Sequence, residues 1–296
     1  SGVMIRHLSH ALGPSGRAEI RAATKTALAA VQKSEAADRW QVEERRRHLA
    51  HRLGLLADIE GDVDDYIAAM REGGMEAAYA PDLAERLIRA GRPGEAIDWL
   101  KRSRRPFDDD DTANIDLMVE ALEALGKKNE AQDARWRYFE KSLNVDSLRA
   151  YLKRLSDFED FEAERKAFEV AAKHRSVDTA LEFFVAWPNL QRADEIVRVR
   201  EKELDGGAYY KLRPAAEALE EKYPAGATRL YRRMVESVLH RGSSKQYRYA
   251  ARDLQSCIQL APRVADEASL EKHATFMAHL QQSHGRKYGF WSLMKP

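Results

Sequence analysis

The feature that most limits the possible folds of this chain is a repeat within its sequence. Residues 85–98, ERLIRAGRPGEAID, align with residues 120–133, EALEALGKKNEAQD, at an offset of 35 residues with six identical positions. Residues 55–65, LLADIEGDVDD, show the same turn pattern 30 residues earlier. In each copy a helix ends at a glycine, which readily adopts the left-handed conformation, and a second helix follows a short polar turn. The repeat therefore predicts helical hairpins with turns at Gly61, Gly91 and Gly126.

A small residue recurs early in the second helix of each predicted hairpin, where it would let two backbones approach closely. These residues are Ala96, Ala131, Ala163, Ala193 and Ala227, at spacings of 35, 32, 30 and 34 residues. The spacings bracket the 34-residue tetratricopeptide period, in which each hairpin covers its apolar face by stacking on the next. The sequence predicts an all-α fold, an α-solenoid of stacked helical hairpins, tetratricopeptide-like with an irregular period of about 30–35 residues.

The positions of the prolines also favour helices. Pro81, Pro93, Pro188 and Pro224 each precede a helical pattern, and proline is favoured just inside a helix start. We expect about fifteen helices, with long ones near 36–57 and 244–260 and a last one near 266–284. The predicted domains are N-terminal helices over 1–57, repeats over 58–240, and a helical cap with an aromatic, basic tail over 241–296.

The composition excludes some classes of protein. No apolar stretch reaches the roughly 18 residues of a membrane-spanning helix, and the N-terminal residues do not form a secretion signal. Charged residues make up 33% of the chain, above the roughly 25% of an average domain. The single cysteine, Cys257, excludes an intrachain disulfide. A cytoplasmic protein is therefore expected.

The charges are unevenly distributed along the chain. Residues 61–221 contain 26 basic and 36 acidic residues, a net charge of −10, whereas residues 222–296 contain 13 basic and 5 acidic residues, a net charge of +8. Such asymmetry is typical of chains that meet a partner of opposite charge.

Four stretches resemble an uncharacterised bacterial helical-repeat family known only as a domain of unknown function. They are LRAYLKRL at 148–155, FVAWP at 184–188, RYAARDL at 248–254 and HGRKYGFWSL at 284–293. The last two are also similar to the helical tail of bacterial SWIM zinc-finger proteins, but the cysteine and histidine zinc ligands of that finger are absent. The resemblance implies the fold and a C-terminal position within a longer protein, and it implies no activity.

The basic C-terminal quarter contains the candidate site for a polyanion or another partner. Lys245, Arg248 and Arg252 have the spacing of one helical face, and tyrosines interleave with them. The full candidate set is Arg229, Arg232, Arg233, Lys245, Arg248, Arg252, Arg286 and Lys287. Phosphate groups would be the ligand, and the alternative is a solvated polar face on the last repeat.

The aromatic tail is a second candidate surface. Tyr288, Phe290 and Trp291 follow Gly285 closely, and left in water they would expose a large apolar area. We expect an extended strap that folds back on the last helices. The alternative is a free segment that binds a partner's groove.

No pattern in the sequence requires catalysis, a cofactor or a metal. Glu44, His48 and His51 share a helical face, but the arginines around them would repel a metal ion. Asp108 to Asp111 lack the spacing of a calcium loop and are better suited to a helix start. Cys257 lies in an apolar helix and is expected to be a buried small side chain. The common nucleotide-binding, nucleophile-elbow and zincin motifs are absent from the sequence.

Three functions remain open on the sequence alone. The first is a non-enzymatic scaffold that binds a protein or peptide partner. The second is nucleic-acid or polyanion binding through the basic C-terminal quarter. The third is a regulatory portion of a larger enzyme.

Overall fold

The computed structural model describes residues 2–32, 38–102 and 112–294 of the chain. All described residues belong to helices or to the turns between them, without any strand, so the all-α prediction is confirmed. The acidic run Asp108 to Asp111 lies outside the described residues.

The described residues form sixteen α-helices. The first seven are α1 Gly2–Gln32, α2 Arg39–Glu60, α3 Val63–Glu72, α4 Ala80–Arg89, α5 Pro93–Arg102, α6 Thr112–Ala124 and α7 Lys128–Ser142. The other nine are α8 Val145–Leu152, α9 Asp157–Ala172, α10 Val177–Ala186, α11 Leu190–Val199, α12 Tyr209–Leu219, α13 Pro224–Arg241, α14 Tyr247–Leu260, α15 His273–His284 and α16 Tyr288–Trp291. Short 3₁₀ turns occupy Glu201–Glu203, Ser244–Gln246, Ala261–Val264 and Ser292–Met294. Helix α1 bends at Gly13, which has a φ of 59°.

The chain divides into two compact units, residues 1–135 and residues 136–296. Each unit has its own apolar core. The predicted boundaries after residues 57 and 240 remain predictions.

The first unit is built from neighbouring helices that pack in pairs, α1 with α2, α2 with α3, and α4 with α5. Its core includes Leu53, Met70 and Leu87. The turns are those that the repeat predicts, because Gly61, Gly91 and Gly126 have φ values of 71°, 73° and 71°.

The three turns share one hydrogen-bond geometry. In each, the N–H that follows the glycine donates to the carbonyl five residues earlier: Asp62 to Ala57 at 2.9 Å, Arg92 to Leu87 at 2.8 Å, and Lys127 to Leu122 at 2.9 Å. This bond satisfies a carbonyl that the helix end would otherwise leave without a partner. The sequence repeat is therefore also a repeat of local structure.

In the second unit the neighbouring pairs are α10 with α11, α12 with α13, and α13 with α14. Large aromatic side chains fill its core, among them Phe139, Phe183, Phe184 and Tyr231. The three phenylalanine rings form a chain of edge and tilted contacts, such as Phe183 with Phe184 at 5.1 Å between ring centroids.

The recurring alanines are confirmed as close-packing positions, with one exception. Ala96, Ala131, Ala193 and Ala227 are fully buried. Ala163 is only half-buried, since the first two turns of α9 are largely exposed, and the buried alanines of that helix are Ala167 and Ala171.

Two details of the helix prediction are wrong. Pro188 does not begin α11, because the side chain of Asn189 caps that helix by accepting from the Arg192 N–H at 3.2 Å. The last long helix begins at His273 and not near residue 266, since side chains of α13 bind the backbone carbonyls of Ser269 and Glu271 and hold the preceding segment as a loop. Within the described residues, no helix is both long and apolar enough to cross a bilayer.

Candidate functional site

Two residues of the candidate basic surface are not at the surface of the protein. Arg229 and Arg232 are buried, and both donate hydrogen bonds to the loop before α15: Arg229 to the carbonyl of Ser269 and Arg232 to the carbonyl of Glu271. Arg229 also forms an ion pair with Glu201. Their assignment to the surface was incorrect because the sequence pattern does not show that this loop returns over α13. Both side chains stabilise the fold, and because they are buried they are not available to bind a partner.

Part of the Arg232 guanidinium on α13 is buried without a hydrogen-bond partner among the described residues. The Nε and Nη2 groups of Arg232 have no partner among the described residues, and neither has Nδ1 of His273. The guanidinium lies 4.4 Å from the centroid of the Phe276 ring. Burial, chiefly, lowers the pKa of Arg232 and of His273, and the nearby Arg232 lowers that of His273 further. Arg233 is half-buried and donates to the carbonyl of Leu204 at 3.0 Å.

The second basic group of the candidate set is exposed. Lys245, Arg248 and Arg252 all face solvent at the start of α14. Arg248 Nη2 donates to the Tyr249 hydroxyl at 2.6 Å, and Arg252 Nη2 donates to the Tyr209 hydroxyl at 2.9 Å.

These residues belong to a larger group between α12 and α14, here called the arginine–tyrosine cluster: Tyr209, Arg213, Arg248, Tyr249 and Arg252. The two tyrosine rings lie 5.8 Å apart between centroids, and the Arg248 guanidinium lies 4.6 Å from the Tyr249 ring. A guanidinium has five N–H donors, so each exposed arginine keeps donors for an anion. The cluster can therefore present cations and aromatic faces together.

A buried carboxylate on α14 forms an ion pair with one arginine of this cluster. Asp253 is 1% exposed and forms an ion pair with Arg213. Burial raises the pKa of Asp253 to about 6, although Arg213 and Arg252 oppose that shift. Near neutral pH the carboxylate is ionised and fixes Arg213 beneath Tyr209.

The aromatic tail folds back, but not as a strap. It forms the short helix α16, in which Phe290 is fully buried and lies 5.9 Å from the Tyr247 ring. Trp291 is half-buried and donates from Nε1 to the carbonyl of His284 at 2.9 Å. Tyr288 is 78% exposed and contributes no burial. Of the nearby cations, Arg286 is exposed and Lys287 is half-buried.

An open groove in the second unit forms a site that the sequence did not predict. It has a volume of about 410 Å³ and lies where α9, the turn between α10 and α11, and the turn before α13 meet. Aromatic and polar side chains both line it. The lining residues are Glu164, Phe168, Trp187, Pro188, Asn189, Leu190, Gln191, Lys222 and Tyr223.

The tryptophan of this groove is held on several sides. Trp187 stacks on Phe183 at 5.8 Å between ring centroids and meets the edge of Phe168 at 6.4 Å. Its Nε1 donates to Glu164 Oε1 at 2.8 Å. The guanidinium of Arg149 lies 5.5 Å from the ring. The ring is thus fixed in one orientation and is half-buried, so part of it stays accessible.

The groove was missed because three separate segments build it. The only signal in the sequence was the FVAWP stretch at 184–188, which includes Trp187 and Pro188. Nothing in the spacing of Phe168 or Tyr223 indicates that they meet this tryptophan.

Possible catalytic and metal-binding groups do not converge in the part of the chain that the structure describes. His48 lies 3.5 Å from Glu44, while His51 packs against Tyr79, and no cluster of three metal-ligating side chains occurs among the described residues. Cys257 is fully buried, as expected, and burial raises the pKa of its thiol to about 12. A thiol with that pKa is a poor nucleophile near neutral pH.

Comparison with known proteins yields one family. A family model described as a family of unknown function, DUF6880, matches residues 3–293. No curated protein and no solved structure matches the chain.

Proposed function

This chain belongs to the DUF6880 family of unknown function, and we propose that it is a non-enzymatic helical-repeat scaffold that binds a protein or peptide partner. The packing of neighbouring helices in pairs supports an α-solenoid arrangement of tetratricopeptide-like hairpins. The proposal places the protein in the cytoplasm, in keeping with its single, buried cysteine. The bacterial origin and the likeness to the SWIM tail stay predictions.

The Trp187 groove is the observation that carries the proposal. Its volume of about 410 Å³ lies within the range of roughly 300–1,000 Å³ that ligand sites occupy. Aromatic side chains are enriched at binding surfaces because they bury much area at a small cost in entropy. The lining also includes one cation, one carboxylate and two amides, which can bind a peptide backbone and its charged side chains.

Selection from a random peptide library on the full chain tests this function, with the affinity of enriched peptides measured by calorimetry. We expect Trp187→Ala to weaken binding by at least about tenfold, which is about 1.4 kcal/mol. Because Trp187 also packs on the core, Lys222→Glu provides a second groove variant at an exposed position. Lys153→Glu is the matched control, since Lys153 is also exposed and lies outside the groove.

The scaffold proposal fails if no peptide is enriched. It also fails if the enriched peptides bind both groove variants as tightly as the wild type.

A second candidate function, polyanion binding, is favoured by the arginine–tyrosine cluster. Arg248 and Arg252 are exposed beside two tyrosine rings, the combination with which proteins hold phosphates and stacked bases. Binding of a single-stranded oligonucleotide measured against salt concentration tests it. Each phosphate contact that is removed should reduce the slope of the logarithm of the binding constant against the logarithm of the salt concentration by about one.

Two double variants that remove the same number of positive charges give a matched comparison. Arg248→Ala with Arg252→Ala should flatten the salt dependence, whereas Arg263→Ala with Lys272→Ala should not, because those exposed cations lie outside the cluster. Equal effects of both pairs would exclude the cluster as the binding surface.

A further inference from the structure

The first two turns of α9 expose two phenylalanines that nothing in the described part of the chain covers. Phe158 is 89% exposed and Phe161 is 67% exposed, whereas most large apolar side chains of this unit are buried or half-buried. They are three residues apart and therefore neighbours on one face of the helix. We call this pair the α9 ridge.

The ridge continues the Trp187 groove. Phe161 and Phe168 are seven residues apart, or about two helical turns, so they lie on the same side of α9. Phe168 lines the groove and contacts Trp187. A partner lying in the groove and extending along α9 towards its start would meet Phe161 and then Phe158.

The helix segment that contains the ridge has only acidic residues among its charged side chains. Residues 157–164 contain five carboxylates, two phenylalanines and one alanine, and no cation. Three of the carboxylates lie in the first turn, where they favour the helix dipole. That explanation covers neither Glu162 and Glu164, which lie further along, nor the exposed rings.

Two of these carboxylates are free to meet a partner. Glu159 is engaged with Ser156 in the capping box, Glu162 pairs with Arg165, and Glu164 accepts from Trp187. Asp157 and Asp160 have no ionic partner among the described residues. The hydrogen bonds from Ser156 lower the pKa of Glu159, so that carboxylate also keeps its negative charge.

We infer that the α9 ridge binds an amphipathic helix of a protein partner, with apolar side chains on Phe158 and Phe161 and basic side chains towards Asp157 and Asp160. The inference rests on the proposed function, because it gives the chemistry of the partner that the scaffold would bind. Apolar anchors at helical spacing recognise such a face, and opposite charges fix the direction in which the helix lies.

A synthetic helix tests this chemistry without knowledge of the natural partner. The probe is a fluorescent amphipathic peptide of leucine and lysine, about 18 residues or roughly five turns long, and its counterpart has glutamate in place of lysine. Fluorescence anisotropy with the full chain measures both affinities. We expect the lysine peptide to bind and the glutamate peptide to bind at least about tenfold more weakly.

Two ridge variants should separate the apolar and the charged contributions. Phe158→Ser with Phe161→Ser should weaken binding of the lysine peptide at least about tenfold, as hot-spot aromatics do. Asp157→Asn with Asp160→Asn should weaken it severalfold and reduce its dependence on salt. Both phenylalanines are exposed, so their variant should keep the melting temperature of the wild type. Asp157 and the half-buried Asp160 favour the dipole of α9, so the asparagine variant should melt slightly lower. Tyr288→Ser serves as an exposed aromatic control.

The inference is overturned if the lysine peptide does not bind the wild type, or if the phenylalanine variant binds it as well as the wild type does. Failure here is separable from failure of the scaffold proposal. Library peptides that bind the wild type and the ridge variants equally, but not the Trp187 and Lys222 variants, would leave the groove function standing without the ridge.

Discussion

Two glycines near the start of α5 have different conformational requirements. Gly91 has a φ of 73°, in the left-handed region, whereas Gly94 lies within the first turn of α5 with a negative φ and free space around it. A Cβ would meet no atom at either position. The two positions therefore separate backbone strain from packing.

Gly91→Ala should destabilise the protein by about 1–2 kcal/mol, because an L-residue resists the left-handed conformation. Gly94→Ala should stabilise it by about 0.5 kcal/mol, since alanine restricts the unfolded chain and is the better helix former. Urea unfolding of both variants measures the free energies. A loss at Gly94 equal to that at Gly91 would contradict the assignment of the turn.

Asp253 should give the protein a specific dependence on pH. Its pKa is about 6 in the folded protein, compared with 3.8 in a free chain. A carboxyl group with a raised pKa stabilises the folded state below pH 3.8, and this contribution is lost as the pH rises through 6.

Asp253→Asn removes this ionisation. The free energy of unfolding of the wild type minus that of the variant should fall by up to about 3 kcal/mol between pH 3 and pH 7 and stay level above pH 7. Chemical unfolding across that range measures it. A difference that rises with pH would mean that pairing with Arg213 outweighs burial.

At the scale of helices and hairpins, the packing of α7 depends on one alanine. Ala131 is fully buried, whereas Asp133 on the same helix is exposed. Ala131→Arg should cost several kcal/mol because it overpacks the contact and buries a charge. Asp133→Arg introduces the same side chain and should change stability by at most about 0.5 kcal/mol. Equal melting of the two variants would disprove the repeat alignment.

The docking of α16 depends on one aromatic ring. Phe290→Ala should cost about 3–5 kcal/mol, because it empties a fully buried site next to Tyr247. Tyr288→Ala removes a ring of similar size from an exposed position and should cost much less. Thermal unfolding compares them, and similar losses would show that the tail docks through a different face.

The local elements of this fold could be predicted from the sequence, whereas contacts between distant segments could not. The turns at Gly61, Gly91 and Gly126 depend on the conformational freedom of glycine, which is a local property. The burial of Arg232 depends on a loop that arrives from some 40 residues away. The Trp187 groove likewise requires three segments to meet. Periodicity records which face of a helix is apolar, but not which segment covers it.

At the scale of the whole molecule, each of the two units has a core of its own, and the candidate surfaces all lie in the second. The second unit contains the acidic α9 ridge, the Trp187 groove and the arginine–tyrosine cluster. Surfaces of opposite charge on one unit suit a scaffold that holds partners of different chemistry. The near-neutral net charge of +1 hides this separation.

If a partner binds in the Trp187 groove, the indole N–H signals of the chain should report it. The chain has five tryptophans, so a ¹⁵N-labelled sample gives few such signals, and Trp187→Phe assigns the one that matters. On titration with a library-selected peptide, we expect the Trp187 signal to shift in proportion to binding, while those of Trp40 and Trp99 in the first unit stay fixed. Saturable binding that leaves the Trp187 signal unmoved would contradict it.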